Sequence, residues 1–148
     1  VLGVGSIKVT SAAPVLEAQL APLVMVVDDS LTMRKVLSRT LEREGYRVIT
    51  AKDGMDAIQV LQENMPDIML TDIEMPRMDG FELVRNVRDD EKTKTLPIVI
   101  ISSRTAEKHR NLAKEIGVNA FLGKPVQDDE LITQVSILLG HMSPLTSA

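Results

Sequence analysis

A chain of 148 residues is sized for one domain with a tail to spare. Its formal net charge of −4 supplies no basic face for nucleic acid, and no apolar stretch approaches the roughly 20 residues that span a bilayer. The absence of Cys leaves no disulfide framework and fits a reducing cytoplasm, and an aromatic content of 2% leaves the core to Val, Ile, Leu and Met.

Residues 1–21 are rich in small side chains and broken at Ser11-Ala-Ala-Pro14 and Ala21-Pro22, which reads as a linker or tether. The start lacks the basic n-region of a secretory signal. It also lacks Met, as expected of a processed chain or a piece of a longer one. The domain proper is expected over 22–140, with a short tail at 141–148.

Its first element is a strand over about 23–28, Leu23-Val-Met-Val-Val27 running into Asp28-Asp29. Ser30 is placed to cap a helix whose Met33, Val36, Leu37, Thr40 and Leu41 recur at i, i+3, i+4, i+7, i+8 and so predict one buried face. Gly45 stops it. A strand at 46–51, nearer the sheet edge, leads to a helix at about 54–63 that turns Ala57, Ile58 and Leu61 inward. The third strand, Asp67 to Asp72, is followed by a loop broken by Pro76 and Gly80. A helix at about 81–89 packs through Leu83, Val84 and Val87, and Pro97 introduces a fourth strand, Ile98-Val-Ile-Ile101, ending in Ser102-Ser103. The next helix, about 105–116, has the weakest apolar face of the set: Ala106, Leu112, Ala113 and Ile116. Low burial makes it the element expected to shift most readily. A fifth strand at about 119–123 runs into Lys124-Pro125, and Asp128 or Asp129 starts a last helix carrying Leu131, Val135, Leu138 and Leu139.

Apolar runs of four or five residues alternating with helical segments predict parallel strands in a doubly wound α/β sheet with right-handed crossovers. Parallel strands share the direction of their C-terminal ends, where ligands of open α/β sheets bind. Asp28, Asp29, Asp72, Ser102 and Lys124 are therefore expected on one rim. Three neighbouring carboxylates repel unless a cation neutralises them, and an oxygen-only donor set suits Mg²⁺. No Cys exists and no His lies in these motifs, so a zinc or iron site has no ligands. Asp72, on the central run, is the best placed to attack phosphorus.

Four segments, Val-Val-Asp28-Asp29-Ser, Leu-Thr-Asp72-Ile-Glu-Met-Pro-Arg-Met-Asp79-Gly80, Ile-Ile-Ser102-Ser and Gly-Lys124-Pro125, carry a resemblance. Together, in order and at that spacing, they make the chain from about Leu23 to Gly140 resemble a response-regulator receiver domain of bacterial two-component signalling, chemotaxis-regulator-like. The resemblance implies a flavodoxin-like fold of five parallel strands in the order 2-1-3-4-5 with five helices. It implies Asp72 as phosphoacceptor, Asp28 and Asp29 as the acidic pair for Mg²⁺, and the Glu74 backbone carbonyl as a further ligand. It also implies Ser102 as the hydroxyl and Lys124 as the ammonium that meet the phosphoryl group, Phe121 as the aromatic switch and a cis Lys124–Pro125 bond. The implied partner is a histidine kinase or histidine phosphotransfer domain, with no direct contact to nucleic acid or membrane. The isolated domain is expected to be a monomer or weak dimer and, beyond its own phosphoryl transfer and dephosphorylation, not an enzyme.

Asp-Asp-Ser-Leu-Thr-Met-Arg-Lys is similar to receivers fused behind chemotaxis-type histidine kinases, so a C-terminal receiver of a hybrid kinase is expected, with a free-standing receiver as the alternative. A phosphate-sink receiver without its own output is a second alternative. A metal-dependent aspartyl phosphatase is a third, weakened because Glu74-Met75-Pro76 matches its acid-turn-Thr pattern poorly. Plainer readings remain for single residues. Phe121 is equally readable as core, and His109, between charged neighbours, reads as solvated. Arg34 and Lys35 read as solvated charge on the first helix, near where partner kinases of receivers dock. Met65, Met69, Met75 and Met78 read as packing. Glu74 and Arg104 flank the site and are expected to tune hydrolysis.

Overall fold

The computed structural model describes residues 21–140. The expected tether, apart from Ala21, and the tail at 141–148 lie outside the described residues. Ten elements alternate along the chain: β1 (Leu23–Val27), α1 (Leu31–Arg43), β2 (Arg47–Ala51), α2 (Gly54–Glu63), β3 (Ile68–Thr71), α3 (Gly80–Asp89), β4 (Ile98–Ser102), α4 (Glu107–Glu115), β5 (Ala120–Gly123) and α5 (Asp128–Leu138). The strands form one parallel sheet in the order β2-β1-β3-β4-β5, as the resemblance implies.

Side-chain alternation along each strand divides the core between two faces. Val24 and Val26 of β1, Ile68 and Leu70 of β3, and Val99 and Ile101 of β4 pack with Leu37 and Leu41 of α1 and Leu131 and Val135 of α5. Met25, Val27, Met69 and Ile98 point the other way, onto Ala57 and Leu61 of α2 and Leu83, Val84 and Val87 of α3. All of β3 and β4 is buried, which explains why their sequences are continuous apolar runs. A side chain so buried contributes about 1.5–3 kcal/mol over its exposed state. β2, paired on one side only, keeps an exposed Arg47 and Thr50.

Local signals place the helices. The Ser30 side chain accepts from the Met33 N–H at 3.2 Å, and Gly45, with φ at 91°, follows the end of α1. Asp53 and Asp79 cap α2 and α3 in the same way. α4 begins without a side-chain cap bond and buries only Ala113 fully.

Two side chains differ from the pattern expected of their helices. Val36 is 46% exposed, because the inward stripe of α1 is centred on Leu37 and Leu41 and leaves Val36 beyond its edge. Ala106 is exposed because it is the N-cap of α4, with ψ at 146°, and so does not share the helical face. β1 and β3 each stop one residue before the acid expected to end them, so Asp28 and Asp72 stand just past the sheet.

Candidate functional site

The C-terminal ends of β1 and β3 lie side by side, and the Asp72 N–H donates to the Val27 carbonyl at 3.0 Å. This bond fixes where the Asp72 side chain leaves the sheet. A carboxylate oxygen from each of Asp28, Asp29 and Asp72 lies within 4.8 Å of the others, so the sheet brings the three expected acids together. Their surroundings differ. Asp28 is buried, with Oδ1 accepting from the Ser30 N–H at 2.9 Å, whereas Asp29 is exposed. Asp72 is intermediate, and its Oδ1 accepts from the Ile73 N–H at 2.7 Å.

Lys124, one residue past β5, reaches across this rim. Its Nζ donates to Asp28 Oδ2 at 3.0 Å and to Asp72 Oδ2 at 2.9 Å. Burial disfavours the charged ammonium, but the bonds and charges of Asp72 and Asp28 outweigh it, so the Lys124 pKa stands above the ordinary lysine value. One positive charge thus offsets part of the repulsion among three carboxylates. The Lys124–Pro125 bond is cis, and the Lys124 N–H donates to the Ser102 carbonyl at 2.9 Å, tying the ends of β5 and β4. Ser102 is fully buried and its Oγ accepts from the Arg104 N–H at 3.0 Å. That bond uses a lone pair and leaves the hydroxyl proton free to be donated.

The donor set fits a hard divalent cation. It consists of oxygens alone, carries several negative charges and stands at a polar, open rim. Both Asp28 oxygens are already engaged, by Ser30 and Lys124, while Asp29 is the most exposed of the three acids. Asp29 is therefore the acid with most freedom to meet a cation.

Beside the acids an open cleft of about 580 Å³ is lined by Asp29, Ile73, Glu74, Phe81, Arg104 and His109. Glu74 and Arg104 form an ion pair at 2.7 Å along it. The Arg104 hydrogen bond holds the Glu74 carboxyl below the usual glutamate range, and Glu74 in turn raises the Arg104 pKa. Phe121 is partly buried, and the Arg110 guanidinium lies 4.8 Å from its ring centroid.

Three features depart from the sequence reading or go beyond it. His109 is not simply solvated: its ring stacks on Phe81 at 6.3 Å and 10°, and its Nδ1 is enclosed with no hydrogen-bond partner. The signal was present, since His109, Leu112, Ala113 and Ile116 follow the i, i+3, i+4, i+7 spacing of an inner face. Arg34 is not free charge either, as its Nη1 donates to the Asp28 carbonyl at 2.7 Å. Arg77, in the loop after Asp72, pairs with Asp53 at 2.6 Å, and no local pattern announces a contact across that distance in sequence.

Residues 24–136 match the family model of the response regulator receiver domain. Protein PilH of Pseudomonas aeruginosa is 31% identical over 116 residues, covering 78% of this chain and 96% of PilH. The chain spans about half (52%) of the length of other curated relatives, the MprA response regulators of Mycobacterium sp.. Among solved structures, the chemotaxis response regulator CheY4 of Vibrio cholerae is similar at a TM-score of 0.75 and 33% identity, over 80% of this chain and 98% of CheY4. The receiver domain of the sensor histidine kinase PA1611 from Pseudomonas aeruginosa, which has a magnesium ion coordinated in its active site cleft, is similar at 0.76 and 26% identity, over 81% of this chain and 98% of that one.

Proposed function

The chain belongs to the response regulator receiver domain family of two-component signalling, and on that premise we propose that Asp72 accepts a phosphoryl group from a phosphohistidine, with Mg²⁺ bound at Asp28, Asp29, Asp72 and the Glu74 backbone carbonyl. The observation that carries this reading is the meeting of three carboxylates and the Lys124 ammonium at the ends of β1, β3 and β5.

In the transfer, an Asp72 carboxylate oxygen forms a bond to phosphorus as the phosphorus–nitrogen bond of the donor breaks and its electron pair returns to the imidazole. Catalysis of this kind needs positioning and charge neutralisation rather than a proton shuttle. Ile73 N–H and Lys124 hold the Asp72 carboxylate oxygens in place, which preorganises the nucleophile. Mg²⁺ held by these acids would supply positive charge to offset that of the phosphoryl group. Once phosphorylated, Asp72 can no longer offer both oxygens to its present partners. Lys124 can follow the new charge, and the Ser102 hydroxyl can donate to it.

Partners of receiver domains are histidine kinases or phosphotransfer proteins. The PA1611 receiver belongs to a sensor histidine kinase, which supports attachment to a kinase, while PilH, matched over nearly its whole length, supports a free-standing receiver. No helix among the described residues is long and apolar enough to cross a membrane. We place the domain in the cytoplasm, where its phosphodonors act.

Exposure to a small acyl phosphate with Mg²⁺, followed by mass spectrometry of peptides, tests the assignment. Phosphate is expected on the peptide containing Asp72 and is expected to be abolished in Asp72→Asn, whose amide is nearly isosteric but a poor nucleophile. A variant phosphorylated to the wild-type level would overturn the choice of nucleophile.

A further inference from the structure

The loop that leaves β3 contributes two of the proposed metal ligands, Asp72 and the Glu74 carbonyl, and it is held along its whole length. At its far end the Gly80 N–H donates to the Ile73 carbonyl at 2.8 Å, and a Cβ on Gly80 would run into the Asp72 carbonyl oxygen. Near its apex Met78 lies where a Cβ on Gly54 would stand, 2.7 Å from the Met78 Cγ, so the loop rests directly on the start of α2. Arg77 immediately precedes Met78. Among the described residues it is the one non-glycine residue in the left-handed region, with φ at 68°. Such a conformation is strained in a residue other than glycine and persists where the surroundings hold it.

The turn over Arg77 is closed by the Met78 N–H, which donates to the Pro76 carbonyl at 2.7 Å, and the Arg77 side chain is tied to Asp53. Oδ1 of this buried carboxylate caps α2 by accepting from the Asp56 N–H at 2.8 Å, and its Oδ2 accepts from Arg77 Nη2 at 2.6 Å. The Asp56 bond and then Arg77 bring the Asp53 pKa below the ordinary value, and both groups therefore meet an ionised partner. Removing the guanidinium would leave a buried charge with only the Asp56 bond. On the opposite side the same loop is drawn by Glu74 to Arg104. The segment 74–77 is thus fastened to α2 at one end and to the loop after β4 at the other.

We propose that Arg77, through Asp53, is a positioning residue for the metal loop: it fixes the backbone that aims the Glu74 carbonyl and so raises affinity for Mg²⁺ without touching the ion. This inference rests on the function proposed above. It assigns to a non-ligand pair the part that outer partners play around metal sites, where their loss commonly weakens binding roughly 10-fold or more.

The test compares wild type with Arg77→Gly and Arg77→Lys in the full chain. Glycine removes the guanidinium while suiting the left-handed backbone, so the fold is spared. Lysine restores a positive charge to a pair that uses a single nitrogen. Mg²⁺ affinity is read from amide shifts on titration with the metal, and hydrogen exchange at 74–78 is read without metal. Arg77→Gly is expected to bind Mg²⁺ roughly 10-fold more weakly and to exchange faster at 74–78, with Arg77→Lys recovering most of both. Unchanged Mg²⁺ affinity in Arg77→Gly, with or without faster exchange, would overturn the proposal, the second case leaving only a structural tie. A wild-type chain that itself binds no Mg²⁺ at the acids would overturn the functional reading and this inference with it. That failure is distinguishable because it appears before any substitution.

Discussion

The rim at the ends of β1 and β3 and the helix α4 line one cleft, through Asp29 and His109, yet are built in opposite ways. Beneath the rim every residue of β3 is buried, and Asp28 and Asp72 are held by backbone N–H groups and by Lys124. α4 has no side-chain cap bond, buries only Ala113 fully and otherwise rests on the half-buried Leu112 and on ring contacts, His109 on Phe81 and Arg110 over Phe121. A site that must place a phosphorus atom needs rigid supports, whereas a surface that must change shape needs a small free-energy gap between its states. If Asp72 takes up phosphate as proposed and α4 displays the change, the two regions would divide those demands between them.

Truncation in the core should show the difference most strongly. Leu70→Ala, beneath the rim, is expected to lower unfolding stability by about 2–5 kcal/mol, and Leu112→Ala, on the half-buried face of α4, by less than about 1 kcal/mol, both read from urea midpoints. Equal losses would mean that α4 is packed as firmly as the sheet.

A smaller effect should appear in acid. Because the Asp53 pKa is lowered in the folded state, its contribution is present above the ordinary carboxylate value and is lost as pH falls through the folded value. Asp53→Ser keeps a capping side chain but removes the charge. The stability gap between wild type and Asp53→Ser should therefore narrow as the pH is lowered from about 6 to about 3. A gap that stays constant over that range would show that the carboxylate charge contributes nothing to the tie between α2 and the metal loop.

Much of this contrast was legible in the sequence, for physical reasons. Strands buried on both faces must be continuous apolar runs, so β1, β3 and β4 announce themselves, and the residues at their ends fall on one rim by topology alone. The weakness of α4 was legible in the same way, from its scarcity of large apolar residues. Strand order came from the family resemblance, because periodicity says that strands are buried but not which pair. The contacts of Arg77 and Arg110 were not legible: long flexible side chains choose partners in space, and nothing in their neighbours marks them. His109 was masked by its charged flanks, although its spacing to Ala113 placed it inward. Val36 failed in the other direction, since an apolar residue one step off a stripe satisfies the pattern and still meets water.

Hydrogen exchange of the full chain with and without beryllofluoride and Mg²⁺, a stable mimic of the acyl phosphate, tests most directly whether the rim writes a signal that α4 displays. Protection at about 103–123, covering α4 and β5, and in α5 is expected to change well beyond any change in α1, which is anchored through Leu37 and Leu41. Changes confined to the neighbourhood of Asp28, Asp29 and Asp72 would contradict the account and describe a domain that takes up phosphate without altering its own surface.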